Sequence, residues 1–360
     1  MKGSPLAEGG LCAGATDSSS DPNHNCAMDQ AEINASPALP AGAVTLTHWG
    51  LIRAAGSDAA QFLHGQLTNG VADLGEHEVR LAGFCSAKGR LQASFLVWRS
   101  GPDELMLACH ASVLAATLKR LSMFVMRSKC KLGDASSESV DAATRLVCTG
   151  LTGAAADAAL TATGLDGGSD WQQRSAAGGH VLQLPSVAAT RRAVWVAVAG
   201  AAVPGGAVEP ADAAPTLDQW RWLEVHSGVP MIEVETVDQF VPQMVNYEIV
   251  GGVDFQKGCY PGQEVVARSQ YRGTVKRRMF LFDAAGACAP GQEVFHSSDA
   301  AQPAGMVVNG APRPAGRGDS ALIEVKLAAV DDGSLHLDSV DGPLLTKIEL
   351  PYPVTAASET

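Results

Sequence analysis

Apolar and polar residues alternate along the chain with periods that change from segment to segment. Residues 44–54 predict extended structure. Phe62, Leu63 and Leu67 then lie on one face of a helix that Ser57 would cap. Further strand-like runs lie at 78–85, 90–98, 104–109 and 192–199. The first half of the chain therefore predicts helices mixed with strands.

Two more helices are predicted, one after Ser112 and one after Thr216. Their apolar residues recur at helical spacing: Val113, Leu114, Leu118, Leu121 and Val125, then Leu217, Trp220 and Leu223. The elements do not follow the strict βαβα rhythm of a doubly wound sheet, so the pattern predicts an α+β fold. Segments 157–179 and 201–215 are rich in Ala, Gly, Asp and Pro and predict surface loops.

The pattern changes after Arg278. Short alternating runs follow (MFLF, EVFH, GMVVNG, ALIEVKLAAV, SLHLDSV and LLTKIEL), separated by Gly, Pro and Asp. They predict a small all-β module of about 75 residues, either a barrel or a sandwich. Residues 1–40 lack any periodicity and predict a disordered tail. No internal repeat is visible in the sequence.

Charge and cysteine usage narrow the class of protein. The formal net charge of -12 argues against a dedicated nucleic-acid binder, whose affinity depends on cations that neutralise phosphates. The eight cysteines include no CxxC pair, and the N-terminus has no apolar signal segment. No apolar run reaches the roughly 18 residues that a membrane span needs. We therefore expect a protein of the reducing cytoplasm, with no membrane association and no permanently bound metal.

Candidate chemistry is concentrated in DFQKGCYPGQEVVARSQYRGTVKRR, residues 254–278. Gly258 and Gly262 flank Cys259 and allow a tight turn. Pro261 precedes a predicted helix, so the thiol would lie near a helix N-terminus, with Lys257 two residues away. Both features stabilise a thiolate. The segment therefore predicts a moderately activated thiol at Cys259.

KGCYPGQEVVAR closely resembles the fingerprint of the YgfZ family, folate-binding proteins that support iron–sulfur proteins and are related to the glycine-cleavage T-protein. FLHGQLTNGV (62–71), CSAKGRLQASF (85–95) and LKRLSMFVMRSKCKL (118–132) also resemble family segments. The resemblance implies a T-protein-like ring of three domains around a folate site. Residues 41–275 would form two interleaved α+β domains with a ferredoxin-like unit, residues 276–353 a β-barrel, and 354–360 a tail.

The resemblance also implies site residues. Cys259 and Lys257 would carry the functional chemistry, and the fingerprint would line the folate cavity. The implied folate-binding residues are Gly258, Tyr260, Gly262, Gln263, Glu264 and Arg268. Tyr260 or Tyr271 would border the pterin ring. The basic run Arg268, Arg272, Lys276, Arg277 and Arg278 would attract the folate tail or an acidic partner, or else form a solvated surface.

Two departures from the T-protein pattern bear on catalysis. T-proteins carry an acidic pair in the strand where this chain has Leu91 and Gln92, and Gln is no general base near neutral pH. When the two patterns are aligned on Gly228, His226 takes the position of the Glu that grips the pterin in T-proteins. Gln92 and His226 are kept as candidate folate contacts, but both argue against aminomethyl transfer. The remaining histidines (His48, His64, His77 and His110) are predicted to be structural, and Met123 and Met126 to be core residues.

The leading hypothesis is a folate-binding accessory protein. It would bind tetrahydrofolate or a derivative and, through Cys259, support iron–sulfur client proteins or cluster-assembly factors. In this family the clients include an enzyme that methylthiolates tRNA, so direct contact with nucleic acid is not expected. A folate-dependent one-carbon transferase is the alternative, with Cys259 as nucleophile or Lys257 and Glu264 as acid and base. A folate store with an inert thiol also remains open.

Overall fold

The computed structural model describes residues 39–206, 214–271, 275–314 and 316–354. The predicted tails, 1–40 and 354–360, lie almost wholly outside these ranges. The strands are β1 (Gly42–Thr45), β2 (Trp49–Ala55), β3 (Val79–Cys85), β4 (Leu91–Gly101), β5 (Glu104–His110), β6 (Lys131–Asp134), β7 (Leu146–Thr152), β8 (Gln172–Ala176), β9 (Gly179–Val187), β10 (Thr190–Val198), β11 (Arg277–Ala284), β12 (Glu293–His296), β13 (Gly305–Pro312), β14 (Asp319–Lys326), β15 (Leu335–Leu337) and β16 (Leu344–Ile348). The helices are α1 (Ala59–His64), α2 (Ala111–Val125), α3 (Ala154–Ala162), α4 (Leu217–His226) and α5 (Gln263–Tyr271).

The first sheet has the strand order β3-β4-β5-β2-β6, and every neighbouring pair is antiparallel. Strands β6-β2-β5-β4, with α1 after β2 and α2 after β5, have the arrangement of a ferredoxin-like unit. Strand β3 extends this unit at one edge. Leu51 lies opposite Ala108 and Leu81 opposite Leu96, so apolar side chains meet across the sheet. The predicted ferredoxin-like unit is therefore present.

The second sheet repeats the same plan. Its order is β8-β9-β10-β7-β1, again antiparallel throughout, with α3 after β7 and α4 after β10. The position that β6 occupies in the first sheet is filled here by β1, which precedes the first unit in the chain. The two units are therefore interleaved. The repeat is invisible in the sequence because each unit satisfies the same strand order with different apolar residues.

The two sheets adjoin at their edge strands. The amide of Val79 donates to the carbonyl of Trp171 at 2.8 Å, and the amide of Gln173 donates to the carbonyl of His77 at 2.9 Å. These bonds satisfy backbone groups that an open edge would leave unpaired. A continuous apolar core then lies between the sheets, helix α4 and one side of the C-terminal module.

The C-terminal module is a closed six-stranded barrel with the order β11-β14-β13-β12-β15-β16. Each of the six alternating runs in the sequence becomes one strand. Strand β11 pairs with both β14 and β16, and this double pairing closes a barrel instead of a sandwich. The predicted α+β fold with a C-terminal barrel is confirmed.

Helix starts were predicted with mixed success. Helix α1 begins after Asp58, not after Ser57, and no side chain caps it. The N-cap of α2 is His110, whose ring accepts a hydrogen bond from the amide of Ser112. Thr216 caps α4 as predicted, in a capping box with Gln219.

The prediction of surface loop over 157–179 was wrong in part. Helix α3 extends to Ala162, and β8 begins at Gln172. The small side chains of Ala155, Ala156 and Ala159 are buried and let the helix pack closely against its sheet. An Ala-rich composition therefore marked a helix here, since Ala has the highest helix propensity. Of the second predicted loop, 201–215, residues 207–213 lie outside the described ranges.

Candidate functional site

The fingerprint forms a loop and the start of α5, and it packs against the turn between β3 and β4. Gly262 has φ +80°, and a Cβ atom there would lie 2.3 Å from the carbonyl oxygen of Ser86 and 2.7 Å from the backbone nitrogen of Gly89. Gly89 itself has φ +70°, and a Cβ atom on it would lie 2.8 Å from Val265. Both glycines are thus required by conformation and by space. The Lys-Gly-Arg turn and the fingerprint, distant in sequence, are brought into contact.

Lys257 fastens the fingerprint loop to the C-terminal end of α1. Its ammonium donates to the carbonyl oxygens of His64 and Leu67, the second at 2.7 Å. The same nitrogen lies 5.1 Å from the ring centroid of Tyr260. Burial lowers the pKa of Lys257 to about 8, opposed by the nearby charges of Asp254 and Cys259. The lysine therefore has fixed carbonyl partners besides its electrostatic contact with the thiol.

Cys259 differs from the other described cysteines in its exposure. It is exposed, whereas Cys130 is half-buried and the remaining four are buried. Burial raises the pKa of these four, Cys85, Cys109, Cys148 and Cys288, to about 12. Since the thiolate is the reactive form, these buried thiols are chemically silent at neutral pH.

We expect iodoacetamide at pH 7 to alkylate Cys259 at least tenfold faster than any other cysteine within the described ranges. Exposure gives the reagent access, and burial suppresses both access and thiolate formation elsewhere. Peptide mass spectrometry of a labelling time course measures the rates of all eight cysteines. The Cys259→Ala variant confirms the assignment of the fast phase. Faster labelling of Cys130 than of Cys259 would contradict this prediction.

His64 lies at the fingerprint although the sequence predicted only a structural role for it. Its Nδ1 accepts hydrogen bonds from the amides of Val71 and Ala72, both at 3.4 Å. In the neutral ring the proton is therefore on Nε2. Nε2 lies 4.0 Å from the Cβ position of Gly258. Burial, and then the charge of Lys257, lowers the pKa of His64, so at neutral pH the ring presents an N–H toward the loop that carries Cys259.

The other predicted fingerprint residues have varied positions. Tyr260 is buried, and Gln263 donates weakly to the carbonyl oxygen of Lys257 at 3.5 Å. Glu264 and Arg268 are exposed on α5. Tyr271 is 70% exposed, with its ring edge on Phe255. The exposed side of α5 is thus open to a partner or solvent.

Part of the predicted basic run is internal. Arg278 is buried and forms an ion pair with Glu248. Arg277 forms an ion pair with the buried Glu324. A buried carboxylate requires such a partner, because desolvation of an unpaired charge is costly. Arg278 therefore joins the barrel to the preceding segment, whereas the ion pair of Arg277 lies within the barrel. Arg272 lies outside the described ranges.

His226 and Gln92 have partners away from the fingerprint. His226 shares a hydrogen bond with Ser320 of the barrel at 3.0 Å and stacks on Trp222 with ring centroids 3.9 Å apart. Burial lowers the pKa of His226 to about 4, so the ring is neutral. Gln92 donates to the carboxylate of Asp238 at 3.1 Å.

A central cavity with an open mouth lies between both sheets, α4 and the barrel. Much of its wall is apolar, with Leu81, Phe95, Leu96, Trp171, Leu184 and Met231 among the lining residues. Neither Gln92, His226 nor any residue of 257–268 lines it. The residues that the resemblance implies as folate contacts therefore do not line this cavity, and their contact with folate stays a prediction. The fingerprint and the cavity are separate features of the structure.

The carboxylate of Glu224 on α4 has three side-chain hydrogen-bond partners at the cavity wall. Its carboxylate accepts from the indole N–H groups of Trp49 at 2.8 Å and Trp220 at 2.7 Å, and it bonds to Nε2 of His48 at 2.8 Å. Burial alone would raise the pKa of Glu224, but His48 and the indole donors hold it below its usual range. The carboxylate is thus ionised and its lone pairs are largely occupied.

Glu233 provides a second carboxylate of the cavity wall and has fewer hydrogen-bond partners than Glu224. It accepts from the amide of Asn309 at 2.9 Å and lies 3.5 Å from Nε2 of His110. Burial raises the pKa of Glu233, and burial lowers that of His110 to about 4. The rings of His110 and His48 are 6.0 Å apart. Sequence reasoning missed this cluster because its members come from distant segments that carry no shared motif.

Two polar atoms of the cavity wall are buried without a hydrogen-bond partner, the hydroxyl of Tyr247 and Nδ1 of His48. Buried polar atoms normally have partners, so these atoms suit a polar ligand or ordered water. Arg221 also lines the cavity. Across the described ranges, no three His, Cys, Asp or Glu side chains are grouped to hold a metal. None of the described helices is long and apolar enough to cross a membrane.

Comparison with known proteins identifies relatives of this chain. This chain is 30% identical over 256 residues to tRNA-modifying protein YgfZ of Cronobacter sakazakii, and the aligned region covers 71% of this chain and 75% of that protein. The protein of the same name from Shigella sonnei is 30% identical over 247 residues, covering 69% and 73%. The structure matches aminomethyltransferase T of the glycine cleavage system from Bartonella henselae with a TM-score of 0.63, 16% identity and coverage of 88% and 86%. No family model matches the sequence.

Proposed function

This chain belongs to the YgfZ family, and we propose that it is a folate-binding accessory protein that supports iron–sulfur clusters in client enzymes. Its relatives carry the name tRNA-modifying protein, and we propose that the clients include an enzyme that modifies tRNA. The observation that carries the proposal is the pairing of a central, largely apolar cavity with an exposed thiol on a separate surface.

The chemistry of the cavity wall suits a reduced folate. Its largely apolar wall suits a flat pterin ring. The carboxylate of Glu233 has capacity to accept the adjacent N–H groups of the pterin. Arg221 is a cation suited to the anionic tail, and the unpartnered hydroxyl of Tyr247 offers a further hydrogen bond. Bound folate would supply one-carbon or reducing chemistry, and these residues would bind and orient it.

Cys259 supports an action on a partner protein. Its exposure allows a client surface to reach the sulfur, and His64 directs an N–H toward the same loop. A single thiolate cannot hold a cluster, since cluster sites usually need about four ligands. We therefore propose that Cys259 acts together with ligands of the client or of a cluster-assembly factor.

A folate-dependent one-carbon transferase is the second candidate. The observation that favours it is the carboxylate and imidazole of Glu233 and His110 at the cavity, a pair able to move protons. Turnover of methylene- or formyl-tetrahydrofolate by the purified protein would support this candidate. Absence of turnover across several acceptors, with binding retained, would favour the accessory function.

Complementation tests the accessory function. In a bacterial strain that lacks its own YgfZ gene, we expect the wild-type chain to restore iron–sulfur enzyme activity and methylthiolated tRNA. Cys259→Ala should lose at least nine-tenths of that rescue, because no other described thiol is exposed. The control is Cys130→Ala, which removes the half-buried thiol and should rescue fully. Equal rescue by Cys259→Ala would show that the cavity matters and the thiol does not.

Folate binding tests the cavity. We expect calorimetry to give a micromolar or tighter Kd for tetrahydrofolate, and Glu233→Gln to weaken it at least tenfold, or about 1.4 kcal/mol. The amide keeps the shape of Glu233 but loses the charged acceptor. Glu264→Gln, on the exposed side of α5, should change the Kd less than threefold. The reverse pattern would assign the folate to the fingerprint, and an absence of heat for the wild type would contradict folate binding.

A further inference from the structure

The C-terminal end of α2 exposes large apolar side chains. Met123 is 69% exposed, Phe124 42% and Met126 87%. The sequence predicted both methionines in the core, and the structure shows that this was wrong. Helix α2 buries Val113, Leu114, Thr117 and Leu121, so helical spacing turns 123 and 124 away from the sheet. Exposed apolar groups of this size in one place commonly mark an interaction surface.

Cations lie close in sequence to these side chains. Lys119, Arg120, Arg127, Lys129 and Lys131 are all exposed, and within the described ranges none of them forms an ion pair. The segment from 111 to 133 contains no Asp or Glu. It is therefore a strongly basic surface on a chain of net charge -12.

We propose that this surface, defined by Met123, Phe124, Met126 and the five cations and here named the α2 surface, docks an acidic segment of a partner protein that also carries apolar side chains. The apolar groups would supply contact area and the cations would supply complementarity and a fast encounter. Methionine side chains adapt to partners of different shape, which suits a protein with several clients.

A localised acidic segment fits this surface better than an extended polyanion does. An RNA or an anionic membrane would extend beyond the patch and meet the acidic remainder of the molecule. Repulsion between such a polyanion and the acidic remainder acts over a Debye length of about 8 Å. A short segment confined to the patch avoids this repulsion. Phe124 is also the only exposed aromatic side chain of the patch, and single-stranded RNA is usually held on several.

The α2 surface and the Cys259 loop lie at opposite ends of α1. The amide of Lys129 donates to Asp58, which directly precedes α1, at 2.7 Å. Lys257 contacts the carbonyl oxygen of His64 at the other end. Six helical residues span about 9 Å. A client docked on the α2 surface would therefore lie near the thiol. Only this placement of a client beside Cys259 rests on the proposed function.

Methionine-methyl NMR of the full chain tests the docking. The probe is a 15-residue peptide that alternates Glu with Leu and Phe, and the methyl signals are assigned with Met123→Leu and Met126→Leu. We expect the peptide to shift both signals with a micromolar Kd. Arg127→Glu/Lys129→Glu should weaken binding at least tenfold. The control, Arg317→Glu/Lys347→Glu, reverses two exposed cations of the barrel and should change the Kd less than twofold.

Other outcomes would overturn the proposal. Shifts caused by a single-stranded RNA oligomer or by phosphatidylglycerol vesicles, but not by the peptide, would assign the surface to RNA or membrane. Shifts that depend on protein concentration alone would assign it to a second copy of the chain. A lack of response to every probe would show that the surface docks nothing of this chemistry. Folate binding and rescue through Cys259 are measured separately, so their failure is distinguishable from failure of the docking.

Discussion

Glu224→Ala is expected to lower the free energy of unfolding by about 3–5 kcal/mol, the range found when one partner of a buried ion pair is removed. The substitution leaves the indole N–H groups of Trp49 and Trp220 and the Nε2 of His48 without their acceptor. Each buried donor that loses its partner costs about 1–3 kcal/mol, and water can reach only those that face the cavity. Because these donors come from β2, α4 and the turn before β2, the loss loosens the wall between the two units.

Urea denaturation of the two variants in parallel measures this effect. The matched control is Asp218→Ala on the same helix, where the carboxylate is exposed in the first turn. Its removal should cost less than about 1 kcal/mol, from the loss of its interaction with the helix dipole. If Glu224→Ala were as stable as Asp218→Ala, the three donors would have to find water, and the carboxylate would have no structural role.

Gly262→Ala is expected to cost about 2–4 kcal/mol and to detach the fingerprint from the β3–β4 turn. A φ of +80° disfavours any residue with a Cβ atom by about 1–2 kcal/mol. The added methyl would also overlap the carbonyl oxygen of Ser86 and the backbone of Gly89, and overpacking typically costs about 1–3 kcal/mol. Backbone atoms cannot rotate away as side chains can, so the two segments must separate.

Gly164→Ala separates the two causes. Gly164 has φ +71°, but nothing lies within 4 Å of its Cβ position. This control therefore carries the conformational cost without the overlap, and it should lose only about 1 kcal/mol. Thermal unfolding gives the stability of both variants, and limited proteolysis shows whether the 254–262 loop opens only in Gly262→Ala. Equal losses and equal cleavage would mean that the contact between the two glycine turns is unimportant.

The contact between Gly89 and Gly262 explains why two short motifs occur together in this chain. Each glycine has a positive φ in its own turn, and each also lies where the backbone of the other segment approaches. Similarly, Lys257 has its carbonyl partners on α1 and the residues just after it. The fingerprint is therefore held from two sides, and Cys259 remains exposed at its tip.

The sequence by itself determined the features that depend on local pattern. Two-residue alternation marked all six barrel strands, Thr216 marked the start of α4, and KGCYPGQEVVAR marked the family. These signals are readable because each depends on residues within one turn, one strand or one loop. Errors at this level arose where propensities compete, as at the Ala-rich α3 and at the start of α1.

Only the tertiary structure decided what depends on distant segments. It identified β1, through its pairing with β7, as the strand that interleaves the two units, and it brought Glu224, Glu233, His48 and His110 around one cavity. It also turned Met123 and Met126 to the surface and brought His64 to the fingerprint. Periodicity shows that a helix has an apolar face, but the packing of neighbouring elements decides which side chains that face covers. For this reason the sequence identified the thiol, and the fold supplied the cavity and the surface that accompany it.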